Sequence, residues 1–307
     1  VPFAGTYRII DFTLSNVMRA GVTRVGVATQ YRPKSLMAHL GNGQAWDLWG
    51  KTKVLRVLPP FQGADDADWY RGTADAVCQN IEFVRQGSPS DVLILSGDHI
   101  YSMDFRDMAR FHVEKRADLT IAVMPVPWAE ARRFGLLRTD TTGRVIEFQE
   151  KPPEPKSNLA SMGIYIFGTS VLEEGLAATC PRGHHDFGKD VIPGLFAAGR
   201  RIFAYPFSGY WRDVGTLQSY WDANMDALRA DSGMALGDWQ VRTNGDADGL
   251  GERPPAWFAR DARVRGALVS RGCVVEGTVE RSILSPGVRV LPGAVVRDSI
   301  VMHDTVV

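Results

Sequence analysis

Up to about Leu228, short β-branched apolar runs alternate with stretches of helical period, and this alternation constrains the fold more than any other feature. Strands are expected at 24–29, 54–58, 92–96, 119–124, 145–149, 163–167 and 201–205. Helices are expected at 12–20, 34–40, 73–85, 105–114 and 217–228. In the helix after Thr73, Ala74, Val77, Cys78, Ile81 and Val84 recur near the 3.6-residue period. Such alternation predicts an α/β fold with a mostly parallel mixed sheet covered on both faces. Ligands then bind at the carboxyl ends of strands, where loops deliver side chains. With 45% hydrophobic and 23% charged residues over 307 positions, the chain can bury a real core.

The pattern changes after residue 232. Gly, Asp, Asn and Pro crowd the stretch up to Arg253-Pro-Pro255, which is expected to be a linker over 233–257. Beyond it Leu268 and Val274, then Val288, Ala294, Ile300 and Val306, recur in steps of six, punctuated by Gly277, Gly287 and Gly293. A six-residue aliphatic period predicts coils of a parallel β-helix over 258–307, following a catalytic domain at 1–232.

Charge and cysteine content narrow the function classes. Net charge is zero, so no field favours nucleic acid or an anionic membrane. No apolar run approaches the ~18–20 residues that span a bilayer, and no signal peptide is visible. Cys78, Cys180 and Cys273 stand far apart, in no metal-binding or disulfide pattern, so a cytoplasmic protein is expected. The chain begins at Val1 and stops at Val307 in mid-pattern, as a fragment would. Motifs of P-loop kinases, Rossmann dehydrogenases and α/β-hydrolases are absent from the sequence.

Two carboxylates lie at the ends of expected strands: Asp98 in Gly97-Asp-His and Asp213 in Trp211-Arg-Asp-Val-Gly-Thr216. Magnesium takes one or two protein carboxylates plus substrate phosphates, so this pair suffices if the fold brings it together. Trp69-Tyr-Arg-Gly-Thr-Ala-Asp-Ala76 opens a helix whose first N–H groups can face an anion, with Thr73 as the alternative plain cap. Glu150-Lys151-Pro152 ends a strand; Lys151 can project a charge at a phosphate and Glu150 can accept from sugar hydroxyls, though a solvated Glu–Lys pair is the commoner meaning of such a dipeptide. Adjacent His184 and His185 lack the spacing of a zinc site, and Asp186 is better read as a helix cap beside Lys189.

In this order the motifs resemble those of bacterial glucose-1-phosphate adenylyltransferases. The matching stretches include Tyr7–Phe12, Trp69–Ala76, Gly97–Tyr101, Met124–Pro127, Glu150–Pro152, Ser161–Tyr165, His185–Asp190 and Tyr210–Thr216. The resemblance implies a nucleotide-diphospho-sugar transferase fold, Rossmann-like, with a partial left-handed parallel β-helix. It implies that ATP and α-D-glucose 1-phosphate give ADP-glucose and pyrophosphate, for glycogen biosynthesis, with Mg²⁺ held by Asp98 and Asp213. It places Tyr70, Gly135, Glu150, Lys151 and Ser161 at the sugar phosphate, Lys151 also acting in catalysis, and Gln62 at adenine. Gln30 and Trp69 fall at positions that relay allosteric signals, and Arg8 and Arg85 at effector-site arginines. Small-molecule effectors and a homotetramer are implied as well.

The sequence departs from the family around Gln62, where Pro60-Phe-Gln-Gly63 replaces A-Q-Q-R. The family's glycine-rich phosphate loop would precede Val1, so these residues are expected to recognise sugar phosphate without useful turnover. The alternatives are another sugar-1-phosphate nucleotidyltransferase, a non-catalytic subunit of the same fold, or a β-helix acyltransferase. The last usually needs a catalytic histidine, and only His303 lies in the repeat region.

Overall fold

The computed structural model describes residues 1–30, 33–60, 69–183, 185–246 and 252–307. A small hairpin, β1 (Pro2–Phe3) and β2 (Tyr7–Arg8), runs into α1 (Ile9–Arg19). Strand β3 (Arg24–Ala28) leads through α2 (Pro33–Leu40) to β4 (Val54–Leu58), its parallel partner. Helices α3 (Thr73–Gln79) and α4 (Ile81–Arg85) precede β5 (Asp91–Leu95), the short β6 (His99–Tyr101) and α5 (Phe105–Glu114). Strands β7 (Leu119–Pro125), β8 (Gly135–Thr139), β9 (Val145–Glu150) and β10 (Leu159–Gly168) follow. Next come α6 (Thr169–Thr179), α7 (Ile192–Ala197), β11 (Ile202–Pro206), β12 (Trp211–Asp213) and α8 (Leu217–Asp226).

The six-stranded central sheet runs β11-β7-β10-β8-β9, with β5 on the second half of β10. It is mixed, as expected, but parallel pairs are in the minority among the strands of this region. Strand β11 is parallel to β7, whereas β10 is antiparallel to β5, β7 and β8, and β8 to β9. The reason is local: β8 returns as β9 through a tight turn in which Asp140 Oδ1 accepts from the Thr142 and Arg144 amides, and so short a link permits only an antiparallel pair. Both faces are covered. Leu119, Ile121 and Val123 of β7 pack toward α6 and α7 with Phe167, Leu172 and Val191, while Ala122 faces Met108 of α5.

The helix expected over 73–85 is broken at Asn80. The Asn80 amide nitrogen donates to the Ala76 carbonyl and to the Tyr70 hydroxyl, and this side-chain bond competes with the helical ladder.

Beyond Arg253, nine short strands stack on three faces as parallel ladders: β13 (Trp257–Phe258), β16 (Val274–Val275) and β19 (Arg289–Val290); β14 (Arg263–Arg265), β17 (Thr278–Glu280) and β20 (Val295–Arg297); β15 (Leu268–Val269), β18 (Ile283–Leu284) and β21 (Ile300–Val301). This is the expected β-helix, but the six-step phase holds at Val288 and not throughout. Val275, Val279, Leu284, Val288, Val290 and Val296 fill the interior, and Val306 is 58% exposed. Trp257 pairs with Val274 and Val274 with Arg289, so successive coils have unequal lengths and one phase cannot hold.

The first part of the stretch expected as a linker is packed, with Met234 and Trp239 buried beside Phe3, Phe12 and Val214. The opening hairpin and α8 tie the two regions together. Tyr220 donates to the Pro2 carbonyl at 2.6 Å, and the Trp221 indole donates to the Asp298 carbonyl of the β-helix at 2.9 Å. Gly5, at φ 75°, lies so close to Ser270 and the Leu284 carbonyl that no side chain would fit there.

Candidate active site

Strand β6 pairs antiparallel with β12, and the register sets Asp213 opposite His99. Asp98 is therefore one step beyond the ladder, where its carbonyl accepts from the Val214 amide at 3.4 Å. Among the described residues, only Asp98, His99 and Asp213 bring three potential ligand atoms together, all within 4.8 Å. The two carboxylates expected to share a cation do converge. The Asp98 side chain is 67% exposed and that of Asp213 23%. Asp213 Oδ1 accepts from the Gly215 amide at 2.8 Å, which leaves Oδ2 to face the site.

His99 was not singled out by the sequence, yet it supports this pair. It is 8% exposed, and burial holds its imidazole below the usual range against the opposing pull of Asp98 and Asp213. The Trp211 indole N–H donates to Nδ1 at 3.4 Å, and an indole can only donate. The neutral ring therefore carries its proton on Nε2, which lies 3.5 Å from Asp98 Oδ1. A protonated Nε2 is no metal ligand, so His99 meets Asp98 only through this long contact. The hard oxygen pair that remains, open to water at Asp98, fits a divalent cation that keeps several waters.

Arg133, also unforeseen, ends a short turn over Ala131–Arg133 and places Nη2 3.6 Å from Asp213 Oδ2. Its guanidinium lies 5.7 Å from the Phe134 ring, which stacks on Trp211 at 5.5 Å.

A second cluster surrounds Glu150. Its carboxylate occupies the space that a Cβ on Gly135 or Gly188 would need, with Oε2 only 2.7 Å from that position at Gly135. Burial raises its pKa, and Lys151 and Lys189 partly offset this. Lys151 Nζ is 3.8 Å from Glu150 Oε1. Lys151 also has φ 45°, a left-handed conformation costing an ordinary residue on the order of 1 kcal/mol.

Asp186 caps a wide turn over Phe187–Val191, its Oδ1 accepting from the Gly188 and Lys189 amides at 2.8 and 3.0 Å, as the cap reading expected. The Ser161 hydroxyl donates to the Tyr165 hydroxyl at 3.3 Å, and Tyr165 feels both Glu150 and Asp186. Between Ser161 and Tyr165 the ladder to β7 shifts at a bulge, and Gly163, at φ 67°, brings the backbone against Ser96 and the His99 ring. Ser161 thus borders both clusters.

Two expectations are corrected. The first amides of α3 do not face an anion: Ala74 and Asp75 both donate to the His185 carbonyl, at 2.9 and 3.3 Å. Thr73 is not the cap, since its hydroxyl accepts from the Phe187 amide across the gap and Gly72 precedes the helix without side-chain capping. Tyr70 is buried, its hydroxyl donating to the Leu58 carbonyl at 2.9 Å and accepting from Asn80 at 2.8 Å.

With this geometry in view, comparison with known proteins is informative. A nucleotidyl transferase family model matches residues 1–230, and a GlmU-like C-terminal hexapeptide model matches 254–307. The glucose-1-phosphate adenylyltransferase of Geobacillus stearothermophilus is 51% identical over 301 residues, covering 97% of this chain and 76% of the relative. Those of Bacillus cereus (strain Q1) and Bacillus thuringiensis (strain Al Hakam) are each 48% identical over 306 residues, covering 98% of this chain and 80% of the relative. The chain belongs to the glucose-1-phosphate adenylyltransferase family.

In this member of the glucose-1-phosphate adenylyltransferase family, the residues expected to regulate make separate contacts. Arg8 Nη1 donates to the carbonyl and hydroxyl of Ser35, both at 3.0 Å. Arg85 pairs with Glu82 and Glu173 at 2.8 and 2.7 Å, lining an open cleft of about 480 Å³ with Ser88, Ser90, Thr169 and Ser170. Gln30 Oε1 is buried with no hydrogen-bond partner among the described residues, and Trp69 is 50% exposed. Gln62, expected at adenine, lies outside the described residues, as does His184. No helix among the described residues is long and apolar enough to cross a membrane.

Proposed function

We propose that the protein transfers the adenylyl group of ATP to α-D-glucose 1-phosphate, releasing pyrophosphate and ADP-glucose. The observation that carries this reading is the convergence of Asp98 and Asp213 beside a built glutamate–lysine pocket, in a chain of this family. A phosphate oxygen of the sugar ester attacks the α-phosphorus in line; the new P–O bond forms as the bond to pyrophosphate breaks. Asp98 and Asp213 would hold a divalent ion, Mg²⁺, which supplies charge neutralisation at the α-phosphate when bound. Glu150, recessed between Gly135 and Gly188, accepts from sugar hydroxyls, while Lys151 and Ser161 hold the sugar phosphate and Lys151 offsets charge developing in the transition state. Tyr70, held by its bonds to Leu58 and Asn80, contacts glucose 1-phosphate, and Gln62 contacts adenine.

The same reading extends to glycogen biosynthesis in the cytoplasm, a homotetramer, and allosteric control by small-molecule effectors through Gln30, Trp69, Arg8 and Arg85. A catalytic region at 1–232, a connecting stretch at 233–257 and a β-helix at 258–307 complete it.

The test is pyrophosphate release by the full-length gene product with ATP, UTP, GTP and CTP in turn. Release is expected with ATP, and only when both glucose 1-phosphate and Mg²⁺ are present. Asp213→Asn is expected to lower kcat by about 10²-fold or more. A preference for another nucleotide would reassign the donor; unchanged turnover in Asp213→Asn would defeat the mechanism.

A further inference from the structure

The Asp213 oxygen that faces the site is already covered. Oδ1 is occupied by the Gly215 amide, and Oδ2, the atom left for a cation, lies 3.6 Å from Arg133 Nη2. Arg133 forms an ion pair with no other carboxylate among the described residues, and its side chain is 38% exposed. It is locked in no network and reaches solvent. In the same position the guanidinium carbon lies 5.7 Å from the Phe134 ring, so Arg133 touches Asp213 and the ring together.

We propose that Arg133 is a movable counter-cation of the carboxylate pair, holding Asp213 before a divalent ion binds and turning to the nucleotide's polyphosphate afterwards. This rests on Asp98 and Asp213 being the metal site. Charge dictates the exchange. Two carboxylates close together carry excess negative charge, and one guanidinium relieves part of it. A divalent ion on Oδ2 would sit against that guanidinium, and the repulsion expels the singly charged, partly solvated group. Its planar fork of donors then suits phosphate oxygens arriving with the nucleotide, which a lysine presents less well. The turn over Ala131–Arg133 leads straight into Gly135, so the displaced side chain stays beside the sugar-phosphate pocket.

Mn²⁺ alone, titrated by the loss of its free-ion EPR signal, tests the first half. Arg133→Ala is expected to bind Mn²⁺ about two- to fivefold more tightly than the parent, the size of a partly exposed ion pair, while Arg133→Lys stays close to the parent. Calorimetry with Mg·ATP tests the second half: Arg133→Ala should bind it several-fold more weakly. Equal Mn²⁺ affinity in Arg133→Ala and the parent, with an unchanged melting temperature or a lower one, would overturn the exchange alone. Tighter Mn²⁺ with unchanged Mg·ATP binding would mean a static counter-charge and would overturn the turning motion. Mn²⁺ binding that survives both Asp98→Asn and Asp213→Asn would remove the metal site itself, and the proposal with it.

Discussion

Glu150 and Gly188 are packed so closely that a side chain on the glycine would take the place of the carboxylate. The strand end and the capped turn over Phe187–Val191 are thus fitted to each other through one acidic group, and Asp186 fixes the turn by accepting two amides. Gly188→Ala must push Glu150 out of its recess or shift the turn. KM for glucose 1-phosphate is expected to rise about tenfold or more, with a much smaller effect on the KM for ATP. Equal effects on both substrates would place Glu150 elsewhere in the mechanism.

The proton on His99 is assigned by its neighbour, since Trp211 can only donate. Long-range ¹H–¹⁵N spectra of the metal-free protein are expected to show a neutral ring protonated at Nε2. In Trp211→Phe, which keeps an aromatic ring against the imidazole but removes the donor, a mixture of tautomers should appear and kcat should fall severalfold. A proton on Nδ1 in the parent would make His99 a candidate ligand and overturn this assignment.

Much of this was legible in the sequence, and the failures have physical causes. Helix α5 matches its expected bounds because Asp104 caps it and its apolar positions repeat cleanly. Helix α6 was missed: Gly175 interrupts its pattern, yet the glycine is what lets Val191 approach to 3.0 Å of where a Cβ would be. Strand β10 is longer than its periodic core because the bulge at Gly163 breaks the alternation. Asp98 and Asp213 could be named from their motifs, but the ladder that joins them, β6 with β12, is only three residues long on each side and shows no periodicity. Arg133 belongs to no motif; only the register of β12 reveals it.

Asp226 joins β12 to α8. Buried at 6% exposure, it accepts from the Tyr210 hydroxyl at 2.8 Å and pairs with Arg212 and Arg229 at 3.1 and 2.9 Å. Asp226→Ala strands the buried phenol and leaves Arg212 only its 3.5 Å ion pair with Asp222, and is expected to cost about 1–3 kcal/mol in urea unfolding. Asp226→Asn keeps the shape and one acceptor and should cost less. If the alanine variant were as stable as the parent, Asp226 would not be the anchor of β12.

Alkaline pH should unfold the protein through its buried phenols. Burial raises the Tyr165 hydroxyl to about 12, and burial likewise raises Tyr101 and Tyr210, with Asp226 adding to the effect at Tyr210. In the unfolded chain these groups ionise near pH 10. A phenol raised in the fold binds its proton more tightly there, so its contribution is complete below about pH 10 and drains away as pH climbs toward the folded value. Melting temperature should therefore hold from pH 8 to 9.5 and drop steeply above 10, with phenolate absorbance rising together with loss of near-ultraviolet circular dichroism. Tyr165→Phe removes one such proton and should flatten the drop. Phenolate formation well before the loss of tertiary signal would mean that these hydroxyls reach solvent in the native fold.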